Sequence, residues 1–178
     1  MLNVINHCYT NKKVSSFYYD VNQPLVHLTG YISAFNDVEL LIEHISIHGN
    51  YDGFILKRIE DIFRIDYNGE YEKKIWNLYR IKKQLHKKIN ILDKNDILSS
   101  VLDFCIDNKY IISLEFDESC ISGFVKSYNK NYINLSIVNE YGIINGETIV
   151  DLNQIVSIAV DTDDEQDIKL LTMIDNID

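Results

Sequence analysis

Gly30-Tyr31-Ile32-Ser33-Ala34-Phe35-Asn36 and Gly123-Phe124-Val125-Lys126-Ser127-Tyr128-Asn129 are two versions of one stretch, and their spacing decides the fold. Each opens on glycine, places apolar side chains at period two and closes on an aromatic residue followed by Asn, as a half-buried strand entering a turn does. The offset of 93 residues recurs without a gap: Gly49 matches Gly142, and Gly53 matches Gly146. Apolar positions keep the same step. Leu40, Ile42 and Ile45 lie over Ile133, Leu135 and Val138, and Ile59, Ile62 and Ile65 lie over Leu152, Ile155 and Ile158. Ile75 and Leu78 lie over Ile168 and Leu171, and upstream Phe17-Tyr18-Tyr19 falls over Tyr110-Ile111-Ile112. Shared turn glycines alone would explain one such match, not three together with their apolar surroundings. The chain reads as an internal duplication.

Within each copy the signals are those of strands. Tyr110 to Phe116, Ile121 to Tyr128 and Tyr132 to Val138 are short and rich in β-branched and aromatic residues. Asp52-Gly53 and Asn145-Gly146 are turn dipeptides and predict a tight hairpin at each. Gly30 and Gly123, inside apolar runs, predict the kink that lets a long strand curl. Each copy then closes on a helix: Glu70 to about His86, acidic first and lysine-rich last as the helix dipole favours, and Asp163 to Ile174 after an acidic opening. A third helix, from Asn95 to Asp107, has no visible counterpart before the first copy and reads as an insertion. The expectation is a mainly β protein with α (α+β): two tandem five-stranded, bent antiparallel sheets or small barrels, each followed by a helix, with an extra helix in the connector. The boundaries are a first repeat over 1–79, a basic helical connector over 80–109 and a second repeat over 110–178.

Composition narrows the classes. The chain has 178 residues and a net charge of −10, yet residues 67–109 carry nine basic and six acidic groups while 160–178 carry one and seven. An acidic protein repels phosphate backbones except where a local basic face exists, and it suits a basic partner. No apolar run reaches the roughly 18 residues that cross a bilayer, so no membrane contact is expected. The start Met1-Leu2-Asn3-Val4 is not that of a secretory signal, and Cys8, Cys105 and Cys120 show no paired spacing. These point to the cytoplasm, with Cys105 and Cys120 as small core residues.

The segment Leu28-x-Gly30-x-Ile32-x-Ala34-Phe35-Asn36-Asp37 resembles the first motif of bacterial Sm-like proteins, and Ile121-x-Gly123-x-Val125-x-x-Tyr128-Asn129 repeats it. Ile59-x-x-Ile62 and Leu152-x-x-Ile155 resemble the apolar hairpin that closes that fold. The resemblance implies a tandem Sm-like small β-barrel repeat protein. Sm-like RNA binders carry a basic element in their second motif. Here Lys57-Arg58-Ile59-Glu60-Asp61-Ile62 is mixed, and Val150-Asp151-Leu152-Asn153-Gln154-Ile155 has no basic residue.

His44 and His48, four apart on a predicted strand, would share a face, but their counterparts Ile137 and Tyr141 are not ligands, so no metal is expected. No nucleophile elbow, phosphate-cradling loop or dinucleotide fingerprint is present, and neither catalysis nor a cofactor is expected. Two surfaces remain. Trp76 and Tyr79 with Arg80, Lys82 and Lys83 form a basic-aromatic stretch, and Asp161, Asp163, Asp164, Glu165 and Asp167 form an acidic one suited to a cationic partner. The functional expectation is a non-enzymatic binding protein acting through protein–protein contact, in its specific form an immunity or antitoxin protein against a basic toxin. The alternatives are an Sm-like RNA-binding protein and an oligomeric scaffold pairing through barrel edges.

Overall fold

The computed structural model describes residues 1–174. It divides the chain into two units, 1–97 and 98–178. The stretch expected as a connector is thus not a body of its own, because residues 80–97 belong to the first unit and residues 98–109 to the second.

The first unit runs α1 (Leu2–Thr10), β1 (Ser15–Tyr18), β2 (Leu28–Phe35), β3 (Glu39–Ile45), β4 (Tyr51–Arg58), a 3-10 turn (Ile59–Asp61), β5 (Arg64–Tyr67) and α2 (Glu70–Ile81). The second runs α3 (Ile97–Asn108), β6 (Ile111–Glu115), β7 (Cys120–Tyr128), β8 (Tyr132–Val138), β9 (Ile144–Asp151), a 3-10 turn (Leu152–Gln154), β10 (Ser157–Val160) and α4 (Asp163–Leu171). Strands and helices mix as expected. In the first unit the strand order is β5-β1-β2-β3-β4, and in the second it is β10-β6-β7-β8-β9. All the described pairings within each unit are antiparallel. Among the described residues neither unit pairs its last strand with its fourth, so each ladder of five strands is open.

The copies match down to single hydrogen bonds. After β2 the Asn36 side-chain oxygen accepts from Val38 N and Glu39 N, and after β7 Asn129 accepts from Asn131 N and Tyr132 N. Ladder irregularities fall at Ile32/Ala34 and Glu43/Ile45, and again at Val125/Ser127 and Ser136/Val138. Gly30 and Gly123 pair so closely with the next strand that a Cβ would stand 2.0 Å from Glu43 O and 2.4 Å from Ser136 O. Close approach of backbone, more than curling, is what these glycines permit.

Three expectations need correction. The β3–β4 reversal is not at Asp52-Gly53. It uses Gly49 at φ +72, as Gly142 at φ +78 does in the second unit, while Gly53 and Gly146 lie inside β4 and β9. A glycine that tolerates positive φ serves a strand irregularity as well as a turn, and the dipeptide does not distinguish them. Second, α3 is no insertion, because α1 is its counterpart. Asn11 and Asn108 each cap the helix by donating to a carbonyl four residues back, at His7 and Phe104. Lys12 and Lys109 then turn left-handed at φ 47 and 52, and Lys13 N and Tyr110 N close on Cys8 O and Cys105 O. Those pairs lie 97 residues apart, not 93. The β1–β2 loop of the first copy is longer by the difference, so the expected match of Phe17 with Tyr110 fails. Ser15, which faces Gly30, corresponds to Ile112, which faces Gly123. Third, Cys120 is exposed at the start of β7, whereas Cys8 and Cys105 are buried.

Each unit has its own core. Phe17, Leu40, Leu41, Ile42, Phe54 and Ile75 are inaccessible in the first, and Ile112, Leu114, Ile133 and Leu135 in the second. Each core also buries one carboxylate from the closing helix. Glu72 accepts from Ser16 Oγ at 2.6 Å, and Glu165 accepts from Ser113 Oγ at 2.5 Å. A buried carboxylate is tolerated only with such donors.

Candidate functional site

The basic-aromatic stretch does not come together as a single surface. α2 ends at Ile81 with Lys82 as its C-cap, and Lys83 takes a left-handed conformation beyond it, φ 54. Tyr79 is buried, touches Tyr31 edge-on and bonds the ring of His86 at 2.8 Å. Lys82 Nζ donates to His48 O at 2.7 Å and to Asn50 Oδ1 at 2.8 Å, tying α2 to the β3–β4 turn. Trp76 is exposed, with Tyr31 edge-on at 5.8 Å and the Arg80 guanidinium 5.8 Å from its centroid. Trp76 and Arg80 thus share one surface, while Tyr79 and Lys82 hold structure.

The acidic stretch also splits. Asp163, Asp164 and Asp167 are exposed on α4. Asp161 and Glu165 are buried, and Glu165 completes a capping box with Thr162, taking both its N–H and its hydroxyl. Only three of the five carboxylates present themselves outward.

Sequence reading missed a third cluster, in the first unit. His44 on β3 has Nδ1 3.0 Å from Asp52 Oδ2 on β4, with both side chains mostly buried. His48 lies past the end of β3 and is exposed, so the two histidines do not share a face. His86, from the segment after α2, donates Nε2 to His44 O at 2.7 Å and accepts from Tyr79 at Nδ1. Burial pushes its pKa down to about 4, as expected for a ring held neutral with both nitrogens engaged. Among the described residues no three His, Cys, Asp or Glu side chains are placed to hold a metal ion.

A groove adjoins this cluster. The His27 ring, on the longer β1–β2 loop, lies 4.9 Å from Tyr18 and 5.2 Å from Tyr71. To one side is a cavity of about 440 Å³ lined by Tyr18, Asp66, Tyr67, Glu70 and Tyr71, and to the other one of about 410 Å³ reaching His44, Asp52, Leu25 and Ile47. The Arg64 guanidinium lies 4.4 Å over Tyr18 and pairs with Asp66. That bond holds the Asp66 carboxyl below its usual range, while burial and Asp66 push the Tyr18 phenol up. The one sequence sign of the groove was the longer loop with Pro24 and His27, which becomes visible only when the 97-residue and 93-residue steps are told apart. No family model, curated protein or solved structure matches the chain, and no helix among the described residues is long and apolar enough to cross a membrane.

Proposed function

We propose that this chain is a non-enzymatic, cytoplasmic binding protein whose first unit recognises a basic protein. The observation that carries the reading is the Arg64 guanidinium resting on Tyr18 and paired with Asp66: the groove wall already holds a guanidinium by ring face and carboxylate together. Beyond that occupied position the groove still offers Tyr71 and the exposed carboxylate of Glu70. Leu25 and Ile47 add an exposed apolar rim beside the neighbouring cavity. Desolvated aromatic anchors ringed by charge are how compact protein interfaces gain both affinity and rapid encounter. An immunity or antitoxin role against a basic toxin is the specific form of this reading, and a toxin gene directly beside this one would support it. The Sm-like reading of each unit is supported by its five antiparallel strands and by the 3-10 turns Ile59–Asp61 and Leu152–Gln154, which stand where that resemblance puts its closing apolar element.

The test is calorimetric titration with a short arginine-rich peptide. Binding is expected to weaken with salt and to drop about tenfold in Glu70→Gln, the loss of one charge-assisted contact. A peptide that binds no better than a glycine-serine control, or binds Glu70→Gln and Tyr71→Ala unchanged, removes the groove from consideration.

A further inference from the structure

On the first unit, a third cavity, of about 250 Å³, is lined by Lys12, Lys13, Lys73, Asn68, Tyr31 and Trp76. Its character opposes that of the chain, which carries −10 overall. Three ammonium-bearing side chains converge on one small space from two elements, the turn after α1 and the first turns of α2. Among the described residues none of the three makes an ion pair or hydrogen bond, although Lys12 feels the field of Glu43. The wall also contains Glu72, but that carboxylate is buried and taken by Ser16. Arg80 lies 5.8 Å from the Trp76 ring centroid, outside the cavity lining. Unpaired lysines beside an exposed indole are the complement of a ligand with phosphate at one end and a flat ring at the other.

The second unit serves as an internal control. The position of Lys13 is taken there by Tyr110 and that of Trp76 by Lys169, so cation and ring have exchanged places, and Lys169 Nζ sits 4.3 Å from the Tyr110 ring centroid. Asn68 and Lys73 become Asp161 and Gln166. The second copy keeps a cavity here, about 280 Å³ and lined by Lys109, Tyr110 and Phe124, but spends its own cation on its own ring and has a single lysine, Lys109, in the lining. The first leaves cations and ring turned to the same open space. A fold requirement would have kept the two alike.

We propose that this cavity of the first unit binds a 5′-phosphorylated nucleotide, the phosphate held by Lys12, Lys13 and Lys73 and the base against Trp76, either as a free mononucleotide or as the 5′ end of a single strand. The site adjoins the basic-partner groove, with the buried Glu72 in the wall of both.

Trp76 is the only tryptophan, so tryptophan fluorescence, excited beyond the tyrosine absorption band, reports on this site alone. AMP is expected to quench it saturably, adenosine only at much higher concentration, and inorganic phosphate to compete with AMP. Lys13→Met combined with Lys73→Met should weaken AMP about a hundredfold, roughly tenfold per charge-assisted contact. Lys12→Met, at an exposed position, should act in the same direction should the double variant fail to fold by circular dichroism. A short 5′-phosphorylated oligoadenylate that binds more tightly than AMP identifies a strand end, and equal affinity identifies the free nucleotide. Absence of saturable quenching by both AMP and the oligonucleotide overturns the proposal, as does quenching that folded lysine variants leave unchanged. Loss of peptide binding in Glu70→Gln has no bearing on this result, so the two sites stand or fall separately.

Discussion

Glu165 and Glu72 occupy the same place in the two copies, yet their surroundings differ in a way single substitutions can measure. Glu165 takes three donors, from Ser113 and from the Thr162 N–H and hydroxyl. Gly69 stands where the second copy has Thr162, and α2 has no side-chain cap. A Cβ there would meet Glu72 Oε2 at 2.5 Å, so the carboxylate fills the space a larger cap would need. Glutamine at either position turns one acceptor oxygen into a donor, and a buried group left unmatched costs about 1–3 kcal/mol. At 165 the amide can keep the capping box only by turning its NH2 onto the Ser113 hydroxyl, because both carboxylate oxygens are engaged, whereas at 72 the amide oxygen can stay on Ser16. Urea denaturation should therefore rank Glu165→Gln as more destabilising than Glu72→Gln, and the reverse ranking would mean that the capping bonds contribute little.

The glycines that mark the duplication serve different ends, and the turn after β8 shows it. Gly142 and Gly146 both have positive φ, but a Cβ at Gly142 would lie 2.6 Å from Leu171 on α4, whereas one at Gly146 would meet nothing within 4 Å. Gly146→Ala should cost only the left-handed backbone, roughly 1–2 kcal/mol. Gly142→Ala should cost clearly more and loosen α4, a difference that thermal melts and amide exchange of α4 would resolve. Sequence spacing could locate these glycines because an ungapped offset survives folding unchanged. It could not say which one makes the turn, since turn and strand irregularity ask the same positive φ of glycine. The helix α1 was hidden for another reason. Its buried apolar face is only Ile5 and Cys8, too little periodicity to read, and the longer β1–β2 loop breaks the offset before reaching it. Trp76 and Arg80 were legible as a surface because they are neighbours on one helix. Asp52 and His86 were not, because their partnership with His44 depends on strand register and on a segment returning from beyond α2.

For the molecule as a whole, pH sets two tendencies against each other. With a pI near 4.9, acidification from neutrality removes net negative charge and relieves self-repulsion. Glu43 acts in the same direction: burial raises its pKa, so the native state takes up that proton first and gains stability as pH falls through the raised value. His86 opposes both. Its burial depresses the folded pKa from 6.5 to about 4, with the nearby His44 adding to the depression and Asp52 resisting it. Below 6.5 the unfolded chain binds the proton that the folded chain refuses, so the stability is complete above 6.5 and lost as pH falls toward 4. Asp66, held low by Arg64, keeps its contribution until the pH drops below the ordinary carboxylate range and so lies outside that window. The His86 share is roughly 3 kcal/mol, from the size of the shift at about 1.4 kcal/mol per unit. Because His86 joins Tyr79 to the β3 carbonyl of His44, and Gln84 beside it accepts from Tyr51 N, the loss should begin in this segment. Denaturant midpoints between pH 7 and 4.5 should show a downward component in the native protein that His86→Gln removes, and amide exchange at Tyr51 should accelerate over the same interval. A His86→Gln variant with an unchanged pH slope would place the sensitivity elsewhere, leaving the His86 bonds as packing only.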